Sequence, residues 1–281
     1  MALRFSKMHG AGNDFVVVDL RHGQRTPDAA LAQAIGNRHT GVGFDQLLTI
    51  ENSAAPECVA RYRVWNQDGS AAQQCGNGAR CVAAWLLRDG AAVPPTFRLD
   101  SPAGVVEVEC LADARFALQL GVPEFQPERI PFIAGAEQAE YSVVVSGREW
   151  RIGAVSMGNP HALLVVEDVV NAPVAELGAA LQGSGLFPEG VNVGFAQIIA
   201  RDHIRLRVFE RGAGETLACG SGACAALAVL VRQGKIDRAA RVELPGGMLD
   251  IAWPADAAPV RMAGPAAFVF EGEWPNGEKI G

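Results

Sequence analysis

Along most of this chain, short strand-like runs of hydrophobic residues alternate with turn signals. That pattern predicts strands over Asp14–Leu20, Gln46–Ile50, Ala60–Trp65, Gly104–Cys110, Arg115–Leu120 and Ser142–Val145. Further strands are predicted over Ala162–Val166, Gln197–Ala200, His203–Phe209, Met248–Trp253 and Ala267–Glu271. The runs are rich in valine and isoleucine, which suit a pleated, half-buried surface. Helical stretches are fewer: Asp28–Arg38, Gly78–Arg88, Pro173–Leu181 and Gly222–Arg232.

Two of these helices stand out. Cys81–Leu87 and Ala223–Val231 are apolar almost all round, as a helix buried on every side must be. Asn77 and Ser221 precede them in the slot of an N-cap. Gly90 and Gly234 follow in the slot of a C′ residue, with Arg88 and Arg232 in the last turn. The predicted fold class is therefore α/β (α+β), with two homologous domains, each a curved, mostly antiparallel sheet wrapped around one central buried helix. The helix N-termini are expected to emerge at an active site in the cleft between the domains.

An internal repeat supports this division. Cys75-Gly-Asn-Gly-Ala recurs as Cys219-Gly-Ser-Gly-Ala, 144 residues later. At the same offset Arg63-Val64-Trp65 meets Arg207-Val208-Phe209, Arg88 meets Arg232 and Gly90 meets Gly234. With small changes of length, Gly12-Asn13 matches Gly158-Asn159, and Gly43-Phe44-Asp45-Gln46 matches Gly194-Phe195-Ala196-Gln197. This period exceeds that of a solenoid unit. The first domain is read as residues 1–118 and the second as 119–265, with 266–281 returning to complete the first.

Composition narrows the classes of function. Of 281 residues, 49% are hydrophobic and 20% charged, enough apolar material for two cores. A net charge of −7 without a basic cluster argues against nucleic acid. The first residues lack the apolar segment of a signal peptide, and no apolar run reaches membrane-spanning length, so a cytoplasmic protein without membrane partners is expected. Six cysteines are too few for a disulfide scaffold and show no metal-ligand spacing. Cys58, Cys81, Cys110 and Cys224 lie among apolar residues and read as core fillers. Nothing in the sequence calls for a cofactor, and no metal is expected.

Cys75 and Cys219 differ from the other four because each stands immediately before a helix. There, backbone N–H groups and the positive end of the dipole lower a thiol pKa. The N–H groups of Gly76-Asn77 and Gly220-Ser221 suit a substrate carboxylate, and the bare glycine backbone lets it come close. Two such thiols, aimed at one carbon from opposite sides, would invert an α-carbon. Either one serves as base while the other serves as acid.

The phrases that carry this reading resemble the diaminopimelate epimerase family over the whole chain. They are Lys7-Met-His-Gly-Ala-Gly-Asn13-Asp-Phe, Gly43-Phe44-Asp45-Gln46, Asn66-Gln-Asp-Gly69-Ser, Cys75-Gly-Asn-Gly-Ala-Arg80-Cys and Met157-Gly-Asn159-Pro-His161. Gly190-Val-Asn192-Val and Val208-Phe-Glu210-Arg211-Gly-Ala-Gly214-Glu-Thr216 follow, running into Ala218-Cys219-Gly-Ser-Gly. The resemblance implies inversion of one centre of 2,6-diaminopimelate without pyridoxal phosphate. It implies Cys75 and Cys219 as the acid/base pair, supported by His161 and Glu210 respectively. It also implies Asn66, Asn159, Asn192 and Arg211 at the distal end of the substrate, Asn13, Gln46 and Glu210 around the reacting amino group, and a homodimer. The repeat aligns Glu210-Arg211 with Asn66-Gln67, so the halves differ where recognition is expected.

Four other readings remain open from the sequence. A relative that isomerises by carboxylate catalysis would not need both cysteines. A proline or hydroxyproline racemase would not need the Asn/Arg set. A non-catalytic amino-acid binder would not need matched thiols, and a thiol redox protein would not need the asparagines.

Overall fold

A computed structural model describes residues 2–23, 26–72 and 75–275. The chain divides into two compact units, residues 1–118 with 264–281, and residues 119–263. Unit 1 begins with β1 (Leu3–Gly10), β2 (Asn13–Asp19), α1 (Ala29–Gly36), β3 (Gln46–Glu51), β4 (Ala60–Asn66) and β5 (Ala71–Ala72). It continues through α2 (Gly76–Asp89), β6 (Thr96–Ser101), β7 (Gly104–Cys110) and β8 (Phe116–Gln119). Unit 2 holds β9 (Tyr141–Val145), β10 (Arg148–Ser156), β11 (Pro160–Val165), α3 (Val174–Gln182), β12 (Asn192–Ala200) and β13 (His203–Glu210). After these come β14 (Gly214–Thr216), α4 (Gly220–Arg232), β15 (Ala239–Leu244), β16 (Gly247–Ala252) and β17 (Arg261–Gly264). The final strand β18 (Ala267–Trp274) pairs antiparallel with β1, and so belongs to unit 1.

The duplication is visible in the strand pairing itself. In unit 1, β1 and β2 pair antiparallel, β2 and β3 parallel, β3 and β4 antiparallel, and β4 and β6 parallel. In unit 2, β10 and β11, β11 and β12, β12 and β13, and β13 and β15 follow the same sequence of directions. A helix lies within each of the four parallel connections, as such crossovers require. The rest of each sheet is antiparallel. One edge strand caps each copy from outside the repeat: β18 on β1 and β9 on β10.

The helices α2 and α4 pack against the inner faces of these sheets. Every residue from Gly222 to Leu230 is buried, as is every residue from Asn77 to Ala84. Burial of that many side chains stabilises each helix by far more than its intrinsic propensity would. Gly90 (φ 78°) and Gly234 (φ 70°) turn the chain at the two C-termini. The opposite face of unit 2 packs under α3, where Phe132 stacks on Phe187 at 4.6 Å and meets Tyr141 edge-on at 4.8 Å. In unit 1, Ala32 and Ile35 of α1 sit with Phe5, Val16, Val18 and Phe44.

The α/β class, the two repeated domains and the buried central helices agree with the pattern of the sequence. Two expectations do not hold. The N-caps are Cys75 (φ −143°, ψ 106°) and Cys219 (φ −116°, ψ 108°), not Asn77 and Ser221. Each helix therefore starts at the following glycine. In α2 the Cys75 sulfur takes the capping bond from the Gly78 N–H at 3.4 Å, which releases the Asn77 carboxamide for other partners. Cys58 and Cys110 are only half-buried, because both lie at sheet margins, whereas Cys81 and Cys224 are core residues. The pattern does not show the strands β1, β5, β6, β10, β14, β15 and β17. β1 and β10 are buried on both faces along much of their length, which removes the alternation. The segment 276–281, expected with 266–275 to complete the first domain, lies outside the described residues.

Close packing of α4 on its sheet depends on Gly153 of β10. A Cβ there would stand 2.2 Å from Cγ1 of Val229. Overpacking of this kind costs about 1–3 kcal/mol, so Gly153→Ala should lower the urea unfolding midpoint. Val229→Ala in the same chain should recover part of the loss, and an unchanged midpoint in Gly153→Ala would contradict the packing described.

Candidate active site

In unit 1, Cys75 is the N-cap of α2, the element that follows β5. Its thiol donates to Oδ1 of Asn13 at 3.6 Å. Asn13 opens β2, and its Nδ2 donates to Asp45 at 2.8 Å. That bond settles which way the carboxamide faces: the nitrogen toward Asp45, the oxygen toward Cys75. Asn77 Nδ2 donates to the same Asn13 oxygen at 3.3 Å, and Asn77 Oδ1 accepts from Arg80 at 2.7 Å. Asp45 is held in turn by Arg38 at 2.7 Å, and Arg38 also forks onto Asp14 at 3.0 and 2.8 Å. Lys7 forms a further ion pair with Asp14. Although burial opposes ionisation of Asp14, the bonds from Arg38 and Lys7 hold its carboxyl well below the usual carboxylate range. Gln46, at the start of β3, donates to Asn66 at the end of β4 at 3.3 Å, and Asn66 reaches Ser70 at 3.1 Å.

In unit 2, Cys219 occupies the equivalent place before α4 and is 5% exposed. Its thiol donates to Oε2 of Glu210 at 3.1 Å, with the Ser221 hydroxyl at 3.6 Å. Thr216 on β14 donates to the other Glu210 oxygen. Burial, then the Glu210 charge, push the Cys219 thiol well above its ordinary pKa; Ser221 and the Gly222 N–H oppose this more weakly. A protonated thiol beside a carboxylate able to take its proton is the result.

A second cluster in unit 2 gathers four of the residues singled out above. His161 on β11 and Asn192 on β12 are register partners. His161 Nε2 lies 3.0 Å from Asn159 Oδ1. Asn192 donates to the Pro160 carbonyl at 3.2 Å and accepts from the Arg211 N–H at 2.9 Å, while the Arg211 guanidinium bonds the Glu189 carbonyl at 2.6 Å. Burial, aided by the Arg211 charge, holds the His161 pKa down to about 3, so its imidazole is neutral. Among the described residues, no group of three His, Cys, Asp or Glu side chains could hold a metal ion.

The arrangement matches a known family. The family model described as "Diaminopimelate epimerase" matches residues 5–126 and 153–269, one segment in each half. The chain belongs to the diaminopimelate epimerase family. A diaminopimelate epimerase of Xanthomonas axonopodis pv. citri is 59% identical over 274 residues, covering 97% of this chain and 96% of that protein. One from Xylella fastidiosa (strain M12) is 54% identical with the same coverage. Among solved structures, a hydroxyproline epimerase from Agrobacterium vitis aligns with a TM-score of 0.70 at 17% identity, covering 100% of this chain and 94% of that one. A predicted epimerase from Pseudomonas aeruginosa aligns with a TM-score of 0.66 at 18% identity, covering 98% and 100% respectively. Those two likenesses concern the fold. The family comprises isomerases, and its two-part match follows the duplicated sheets.

Sequence reasoning about this epimerase overlooked several residues. Thr216 orients Glu210, Asp45 orients Asn13, and Arg80 holds Asn77. A signal existed for one of them, since an arginine inside the apolar α2 is out of pattern.

The depressed His161 pKa has a consequence for stability. The folded chain refuses a proton until about pH 3, whereas an ordinary imidazole accepts it near 6.5. Protonation therefore favours the unfolded chain across that window: the stabilisation is complete above pH 6.5 and is lost as pH falls toward 3. His161→Gln should show a shallower acid loss of unfolding free energy between those limits, by up to about 1.4 kcal/mol per pH unit. Parallel pH profiles for the two proteins would refute it.

Proposed function

We propose that this protein interconverts LL- and meso-2,6-diaminopimelate by moving the proton at one α-carbon between two cysteines, Cys75 and Cys219. The observation that carries the reading is the Cys219 thiol, 3.1 Å from Glu210 at the N-cap of a buried helix, with Cys75 at the same place in the other copy of the unit. Cys219 enters the reaction as the acid and passes its proton to the substrate. Cys75 enters as the thiolate that removes the α-proton. In the reverse direction the roles exchange, and the Glu210 carboxylate is the group placed to accept the Cys219 proton.

The difficulty of the reaction is charge. Removing the α-proton places a carbanion beside an existing carboxylate, so donors aimed at that carboxylate are needed. The helix-terminal N–H groups of Gly76-Asn77 and Gly220-Ser221 are assigned that task. One well-placed donor is worth about 2.7–4 kcal/mol in such a transition state. Of the side chains assigned to the amino group, Asn13 and Gln46 belong to unit 1 and Glu210 to unit 2. The guanidinium of Arg211 with Asn192 and Asn159, suited to a second carboxylate, belongs to unit 2, and Asn66 completes the set from β4. His161, held neutral, serves this cluster as a hydrogen-bonding group and not as a proton acceptor.

No helix among the described residues is long and apolar enough to cross a membrane. Six free thiols suit a reducing compartment, and we place the enzyme in the cytoplasm. We place it there as a homodimer, because Phe268, Val269 and Phe270 form an exposed apolar run on β18 that a second copy would cover. Light scattering should then report twice the mass of the 29.6 kDa chain, and a monomer at working concentration would reject this.

Incubating the reduced protein with LL-diaminopimelate in deuterated water should incorporate α-deuterium and yield the meso isomer. Cys75→Ala and Cys219→Ala should each lower the rate of inversion by about 10²–10⁴-fold. Absence of exchange in the reduced protein rejects the activity, and full inversion in either variant rejects the two-cysteine mechanism.

A further inference from the structure

The most unusual side chain in unit 1 is Arg80. It is completely buried (0% exposed), on a helix whose neighbouring positions are almost all apolar. A buried guanidinium is costly unless its N–H groups are satisfied, so its retention asks for a reason. Its bonds supply one. Nη2 donates to Asn77 Oδ1 at 2.7 Å, and Nε donates to the carbonyl of Pro265 at 3.2 Å. Asn77 then turns its Nδ2 toward Asn13, and Asn13 turns its oxygen to the Cys75 thiol. A Cβ on Gly10 would stand 3.4 Å from the Arg80 guanidinium and 3.1 Å from the Asn77 carbonyl, so the fold is closed around this pair.

The other copy has no such device. The repeat places Cys224 where Arg80 stands, and Ser221 where Asn77 stands. There the thiol faces a carboxylate, Glu210, which opposes ionisation. In unit 1 it faces a carboxamide oxygen at the end of a chain anchored on a cation one turn inside the helix. A positive charge at that point adds to the dipole of α2 and favours an anion at its N-terminus.

We propose that Arg80 is a positioning residue for Cys75: it holds Asn77 so that the Asn77 Nδ2 competes for the Asn13 oxygen that the Asp45 bond turns to the thiol, and its buried charge favours the Cys75 thiolate. The two copies of one unit thereby present unlike thiols. This rests on the role of Cys75 proposed above, and the test reads the thiol without requiring turnover.

Arg80→Met removes the charge and the fork while keeping an apolar chain of similar length. The rate at which iodoacetamide modifies Cys75, followed by mass spectrometry of its own peptide against pH, should shift its midpoint upward by about one unit or more. kcat should fall about tenfold or more, with KM changed less. Arg80→Lys keeps the charge, so its midpoint should stay near that of the natural protein. Its kcat should still fall, because one ammonium cannot hold Asn77 and the Pro265 carbonyl as the fork does. A folded Arg80→Met protein with an unchanged Cys75 midpoint overturns the proposal. If Arg80→Met does not fold, Arg80→Lys decides it: natural kcat there overturns the positioning role, and loss of kcat with the midpoint retained supports it. A normal alkylation shift in a protein that fails to exchange deuterium would reject the epimerase reading alone.

Discussion

Burial of α2 and α4 is the constraint on which everything else depends. A helix surrounded by apolar neighbours on all sides cannot slide or rotate without opening cavities, each costing on the order of kilocalories. Its N-terminus is therefore as fixed as the core itself. By making Cys75 and Cys219 the N-caps, the chain transfers that rigidity to two sulfur atoms. The sheets exist to enclose the helices, and the glycines beside each sulfur keep the backbone thin where a ligand must approach.

Duplication supplies the common parts, and divergence supplies the chemistry. The two units share strand order, crossover helices and the placement of the cysteine. They differ in the side chains that face each thiol. The last residue of β13 is Glu210, whose carboxylate meets Cys219; its counterpart at the end of β4 is Asn66, which bonds Gln46 instead. Cys75 answers to Asn13, a residue two strands away, whose orientation is decided by Asp45. One sulfur is thus kept protonated by burial and a nearby anion, while the other rests on amides.

Much of this was legible in the chain because period, repeat and apolar helix all point the same way. The strands that alternated cleanly, such as β7 and β13, lie within a residue of where the pattern put them. β12 was read only from Gln197 onward, because Asn192 and Gly194 look like turn residues; in the fold they are buried strand positions. The cysteines, Glu210 and the Asn192–Arg211 cluster carried signals of motif and spacing. Thr216, Asp45 and Arg80 act by orienting other side chains, and orientation is a matter of distances that a linear pattern does not contain. The N-caps were misplaced for a related reason: preference favours Asn and Ser, but the geometry of the glycine-led first turn gave the position to sulfur.

The strand β18 has a consequence for how the protein comes into being. Unit 2 is continuous in the chain, whereas unit 1 draws an edge strand from residues made after all of unit 2. During synthesis the second copy can close its sheet while the first still waits with β1 unpaired along one edge. That edge is the Leu3–Gly10 segment, buried along much of its length in the finished fold. The order of maturation is thus the reverse of the order of translation: β18, made after unit 2, seals β1, made before it.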